Sequence, residues 1–177
     1  MEQNVSTFSA GMRYGLLGGV TLVIIGLIMY LMGAVDYSSG KQDTLSQLLS
    51  FLILVTSVVL AIRYFKTENG ALSFGQGVGA SFFTGLFMGL VQAVWVYVFF
   101  SFIDPGALEL IQEATKEQTL ASGQMSEEEY EQAESMMNAF TSPGVMSFMT
   151  VIMSIIFSLI IGLIASLIMK EEANPLA

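Results

Sequence analysis

The chain has 177 residues, of which 54% are hydrophobic and only 12% charged, and a net charge of −9. Six Lys and Arg against fifteen Asp and Glu leave no basic patch to neutralise phosphates, which excludes nucleic acid as a partner. With no His and no Cys, His-dependent catalysis, thiol chemistry and disulfides are all absent, no catalytic signal remains, and the chain is expected not to be an enzyme.

Four stretches carry no Asp, Glu, Lys or Arg: Tyr14–Val35, Thr44–Ile62, Asn69–Ile103 and Ser135–Met169. Each holds an apolar run of at least about 18 residues, roughly what a helix needs to cross ~30 Å of hydrocarbon. A soluble protein would interrupt such runs with charge, because one face of each helix must meet water. The expected fold is all-α: a polytopic membrane protein with four transmembrane helices, forming a single membrane domain over 1–177. The spans fall at about 14–34, 45–64, 77–102 and 146–169, with the lipid bilayer as solvent.

The leader Met1–Arg13 holds one Glu and one Arg, and the apolar run after it outlasts the ~7–15 residues of a signal-peptide core with no A-x-A site following. It reads as a retained helix. The first span offers Gly11, Gly15 and Gly19, then Gly26 and Gly33. Asp36–Asp43 reads as a tight polar turn around Ser38-Ser39-Gly40. The second span has a weaker small-residue pattern, Ser46, Ser50, Ser57 and Ala61, and ends at Arg63 and Lys66. In the third, Gly77, Ser81, Gly85, Gly89 and Ala93 recur at every fourth position and form one smooth stripe. Gly75-x-Gly77-x-Gly79 lacks the preceding strand and the Lys of a phosphate loop. Gln92 is the strongest polar side chain at depth; it reads as an interhelical hydrogen bond, or else as the lining of a substrate cavity. Ser9-x-Gly11-x-x-x-Gly15 and Ser73-x-Gly75-x-x-x-Gly79 hint at a repeat, which seventeen glycines make a matter of chance.

Between spans three and four, about 104–142, lie nine of the fifteen acids. Asp104-Pro105 reads as an N-cap with Pro at the first helical position. The helix it starts is expected to bury Leu108, Ile111, Thr115 and Gln118 and to stop near Gly123. Ser126 and Glu129 form a capping box for a second helix, whose Tyr130, Ala133, Met137 and Phe140 recur at helical spacing up to Ser142-Pro143-Gly144. The loop is therefore expected to be an acidic helix–turn–helix outside the cytoplasm, folded back on itself over the bundle mouth. Glu127, Glu128, Glu129, Glu131 and Glu134 form its candidate partner surface. Without EF-hand spacing they read as a solvated acidic face, and no metal or other cofactor is implied. Met146, Met149 and Met153 of the last span lack the His or Cys that would complete a copper path and read as packing or lipid-facing residues.

The last span repeats the small-residue theme with Ser154, Ser158, Gly162 and Ser166. Lipid tails are as apolar as Leu, so membrane helices associate where small residues let backbones approach. Three striped helices in one chain can satisfy one another, and intramolecular packing is expected ahead of a homodimer face. Arg13, Arg63, Lys66 and Lys170 fall on one side of an even number of spans and Lys41 and Lys116 on the other, so the positive-inside rule puts both termini in the cytoplasm.

Asn69-Gly-Ala-Leu-Ser-Phe-Gly-Gln-Gly77, Phe102-Ile-Asp-Pro105, the acidic loop ending at Ser142-Pro143 and the tail Lys170–Pro175 together resemble a bacterial membrane family, domain of unknown function 4199, of Bacteroidetes type. The resemblance covers about Ser9 to Pro175. It implies a four-span protein of the bacterial inner (cytoplasmic) membrane, supplies no activity or site residue, and points by association to polyprenyl-linked glycosyl transfer. The expected function is a non-enzymatic scaffold or accessory subunit that meets a membrane partner through the acidic loop. The alternative is a carrier for a neutral or lipid-linked solute, with Gln92 on its path.

Overall fold

Wherever a chain is surrounded by hydrocarbon, every backbone N–H and C=O must be satisfied within its own segment, and this chain answers with helices. The computed structural model describes residues 5–35, 37 and 44–171. Among these residues six α-helices follow in order: α1 (Thr7–Leu31), α2 (Thr44–Asn69), α3 (Phe74–Val98), α4 (Pro105–Ala121), α5 (Glu127–Phe140) and α6 (Pro143–Met169). A π-helical turn, Phe99–Ile103, extends α3. Four helices are long and apolar enough to cross a membrane: α1, α2, α3 with its π turn, and α6. The expected turn at Ser38-Ser39-Gly40 lies outside the described residues, as does the tail beyond Glu171.

Each helix starts and stops at a local signal. The Ser6 hydroxyl accepts from Ser9 N to open α1, and Gly33 leaves it with φ +65°. Ser73 and Gln76 form a reciprocal capping box at the start of α3, just after Gly70 turns the chain at φ +68°. Ser73 caps α3 whereas Ser9 lies inside α1, so the two Ser-x-Gly segments hold different places in their helices and no repeat is built on them.

Helix α3 is the centre: toward α6 its face is a stripe of small residues, and toward α1 the small residues are the glycines of α1. On one face α1 runs parallel to it. A Cβ added at Gly11 would stand 2.8 Å from both Ala80 O and Thr84 N, one at Gly15 2.6 Å from Thr84 O, and one at Gly19 2.8 Å from Val91 Cβ. On the other face α6 runs antiparallel, and glycine opposes serine at four successive turns. Gly77 meets Ser166, Ser81 meets Gly162, Gly85 meets Ser158, and Gly89 meets Ser154. Ser154 Oγ also crosses the gap to donate to Gly85 O at 2.8 Å. Other hydroxyls in the seam are satisfied within their own helices, Ser81 by Gly77 O, Thr84 by Ala80 O and Ser158 by Ile155 O. Ser166 Oγ is buried with no partner.

Helix α2 touches all three of the others. Its Leu54, Val58, Ile62 and Phe65 are buried with Ala80, Met88 and Ala165 in one apolar cluster, and Gly18 of α1 lies against Ser57. Apolar side chains on the outer faces, such as Leu17, Ile24, Ile164 and Ile168, stay exposed where lipid would lie.

The described ends of the chain are tied together. Asn69 accepts from Val5 N at 3.3 Å and donates to Val5 O at 3.0 Å, while Leu72 and Glu171 exchange two backbone bonds of 2.9 Å. Arg13, Arg63, Lys66 and Lys170 therefore share one end of the bundle, and Asp104 with the acidic helices occupies the other.

An alanine methyl at Gly85 would strike backbone as well as Ser158, so repacking has no flexible tip to move. Gly85→Ala is expected to destabilise the solubilised protein by about 1–3 kcal/mol, typical of overpacking, and Gly85→Leu more than Leu86→Ala. Gly75, which has nothing near its missing Cβ, is the control; Gly75→Ala is expected to be neutral or to raise the melting temperature slightly through helix propensity. Thermal melts in detergent check the ranking.

Candidate functional site

The polar groups with functional potential lie toward the acidic end of the bundle. Gln92, one turn beyond the last glycine of the α3 stripe, donates from Nε2 to Gly19 O at 2.9 Å. Glycine has no Cβ to shield its carbonyl, and this lets an amide from the next helix reach it. Gln92 also borders a cavity of about 240 Å³ between α1, α2 and α3, shared with Met29, Tyr37, Ser50, Trp95 and Phe99. Gln92 thus bridges two helices, as one sequence reading expected, and also borders a cavity. That volume is below the ~300–1,000 Å³ of pockets that enclose drug-sized ligands, so only part of a larger molecule would fit.

An aromatic group closes the region toward the acidic helices. Tyr30 and Phe99 meet edge to face at 4.9 Å, Phe99 and Phe100 likewise at 5.1 Å, and Trp95 lies 5.4 Å from Phe99. Asp104 links this group to α4: Oδ2 accepts from Tyr30 OH at 3.1 Å, and Oδ1 accepts from Ala107 N at 3.1 Å as the N-cap. Burial first, and then the Asp104 charge, raise the Tyr37 phenol above its usual value.

Beyond Asp104, α4 packs on the π turn and α5 returns along α4 to the start of α6. Gln112 Nε2 donates to Thr141 Oγ1 at 3.0 Å, and the Lys116 ammonium stands 5.3 Å from the centre of the buried Tyr130 ring. The buried stripe of α4 is rotated from the expected one. Ala107 and Ala114 are buried, Leu108, Ile111 and Thr115 half-buried, and Gln118 exposed, because small side chains let α4 approach its neighbours more closely than Leu or Gln could. Tyr130 is buried and Ala133 and Met137 half-buried, but Phe140, at the helix end, is exposed. Glu127, Glu128, Glu129, Glu131 and Glu134 are all exposed, and among the described residues no three acids gather as a metal site.

The ten small residues singled out in the sequence (Gly11, Gly15, Gly19, Gly77, Ser81, Gly85, Gly89, Ser154, Ser158 and Gly162) all sit at contacts between helices of this one chain. Sequence reading missed the Ser73/Gln76 box, although S-x-x-Q signals it. It also missed the Tyr30–Asp104 bond and the Asn69 clasp, which carry no local signal.

A model of the family DUF4199, described as a protein of unknown function, matches residues 13–171, and the chain belongs to this family. No curated protein and no solved structure matches it.

Removing the Gln92 amide by Gln92→Leu is expected to cost about 1 kcal/mol, the usual scale of an interhelical bond in membranes, as a lower melting temperature with the bundle intact. Backbone and hydroxyl hydrogen bonds from Ser126 hold the Glu129 carboxyl below its usual value. A lowered folded pKa stabilises the charged form, so the box is at full strength above the ordinary glutamate range and is lost as pH falls through the lowered value. Amide exchange over 127–140 is expected to be slow at neutral pH and to lose protection selectively under acid, with Ser126→Ala removing that pH dependence.

Proposed function

We propose that this family member is a non-enzymatic membrane scaffold or accessory subunit that presents α5 to a partner membrane protein. The observation that carries the reading is the contrast between the two parts of the chain. The spans are closed on one another by backbone contact, and α5 shows five exposed carboxylates beside exposed Met136 and Phe140. An acidic first half of α5 followed by exposed Met136 and Phe140 suits a partner surface of basic and apolar character, with charge setting partner choice and encounter rate more than affinity. Both termini are cytoplasmic in this reading, α4 and α5 face away from the cytoplasm, and the membrane is the inner membrane of a bacterium. A setting in polyprenyl-linked glycosyl transfer rests on the family resemblance alone.

A carrier of a neutral or lipid-linked solute is the second reading, favoured by the cavity at Gln92. Against it stands the seam of α3, since rocking either α1 or α6 would break contacts at several successive turns.

Alkaline-phosphatase fusions after Lys116 are expected to be active and those after Lys170 inactive; the reverse pattern would overturn the orientation. A photo-crosslinking residue at Met136 is expected to trap one stoichiometric membrane partner. Replacing Glu127, Glu128, Glu131 and Glu134 by Gln is expected to abolish the crosslink with little change in melting temperature, because exposed charges contribute little to folding. An unchanged crosslink in that variant would mean that the acids do not set the contact, and a solute retained at the Gln92 cavity with no partner trapped would favour the carrier.

A further inference from the structure

The cations at the clasped end of the bundle are unequally engaged. The Arg13 guanidinium lies 4.9 Å from the centre of the Tyr64 ring. Lys66 Nζ pairs with Glu171 Oε2 at 2.8 Å. Arg63 is exposed and, among the described residues, has no carboxylate within ion-pair distance. Arg63 and Lys66 border an open groove of about 530 Å³ between the end of α2 and the end of α6, together with Val59, Thr67, Gly70 and Met169.

Helical spacing orders these groups by depth. Val59 lies one turn below Arg63 on the same face of α2, and Thr67 one turn above it. Val59 and Met169 offer an apolar wall on the membrane side, and the cations and the Thr67 hydroxyl stand at its edge, where headgroups lie. The charged side chains that border the groove are both cations, and Glu171 engages one of them, Lys66.

We propose that this groove binds an anionic glycerophospholipid, with the phosphate at Arg63 and Lys66 and the upper acyl chain against Val59 and Met169. A guanidinium fork matches two phosphate oxygens and binds them bidentately, while Lys66 adds a point charge and Thr67 a neutral donor. Basic pockets between transmembrane helices are a recurring way to hold such headgroups. The chain has no run of basic residues to attract anionic lipid diffusely, so the groove itself is the source of selectivity. Glu171 tempers it: by occupying Lys66 it leaves charge enough for one phosphodiester and disfavours a doubly charged phosphomonoester. The site is at the opposite end from α5, and its test is independent of any partner.

Native mass spectrometry of the full chain in neutral detergent, with phosphatidylglycerol or phosphatidylcholine of identical acyl chains, reads the preference directly. One phosphatidylglycerol per chain is expected to be retained several-fold over phosphatidylcholine and to raise the melting temperature. Arg63→Gln, which breaks no ion pair or hydrogen bond among the described residues, is expected to remove most of the preference, and Arg63→Gln with Lys66→Gln all of it, with lipid-free melting within a few degrees of the parent. Millimolar inorganic phosphate is expected neither to stabilise the protein nor to displace the lipid. Equal retention of the two lipids, or a preference that survives the double variant, would overturn the proposal. Stabilisation by phosphate equal to that by lipid would reassign the groove to a free anion.

Discussion

Helices in a bilayer gain nothing by hiding apolar surface from one another, because lipid is as apolar as they are. What holds this bundle is the close approach of α3 to α1 on one face and to α6 on the other. Glycine on one helix meets serine on the next in register through four turns. The seam has two parts of different character. Toward α1, glycines accept the backbone and Cβ atoms of α3; toward α6, glycine and serine alternate across the gap, and Ser154 adds a hydrogen bond to Gly85 O. Dispersion contacts at such range are individually small and collectively large.

The other features are positioned by that seam. It sets α1 and α3 side by side, so that Gln92 reaches Gly19 O and Tyr30 reaches Asp104. It brings the end of α6 back to Leu72, closing the clasp and forming the groove beside Arg63. Helix α2 lacks glycine altogether and packs through the contacts of larger apolar side chains, chiefly Leu54, Val58, Ile62 and Phe65. The cavity borders its first turns, where Leu45, Leu48 and Phe51 are exposed.

Much of the fold was legible because it is written locally. The charge-free runs mark the spans, and Asp104-Pro105 and Ser126/Glu129 mark helix starts from their own side chains. A stripe of small residues likewise marks a face. It does not name the helix that faces it, because the pairing of Gly77 with Ser166 or of Gly11 with Ala80 depends on how the loops bring the helices back. The second face of α3, Ala80, Thr84 and Met88, escaped notice because it mixes sizes and has no glycine. For α4, the side-chain pattern favoured Leu108 and Gln118, whereas contact went to Ala107 and Ala114, where small size permits approach. The Asn69 clasp and the Gln92 acceptor join residues more than 60 positions apart, beyond the reach of any local pattern.

The absence of native Cys makes one measurement direct. In a built position, the Cβ of Gly89 lies 3.0 Å from Ser154 Cβ, within an ångström of the ~3.8 Å typical of a disulfide. Gly89→Cys combined with Ser154→Cys, oxidised in native membranes, is expected to form a bond within one chain, seen as a monomer with shifted mobility that reduction reverses. A disulfide-linked dimer, from the pair or from Gly89→Cys alone, would mean that the glycine face meets a second copy, and it would contradict the α3–α6 seam on which the whole arrangement rests.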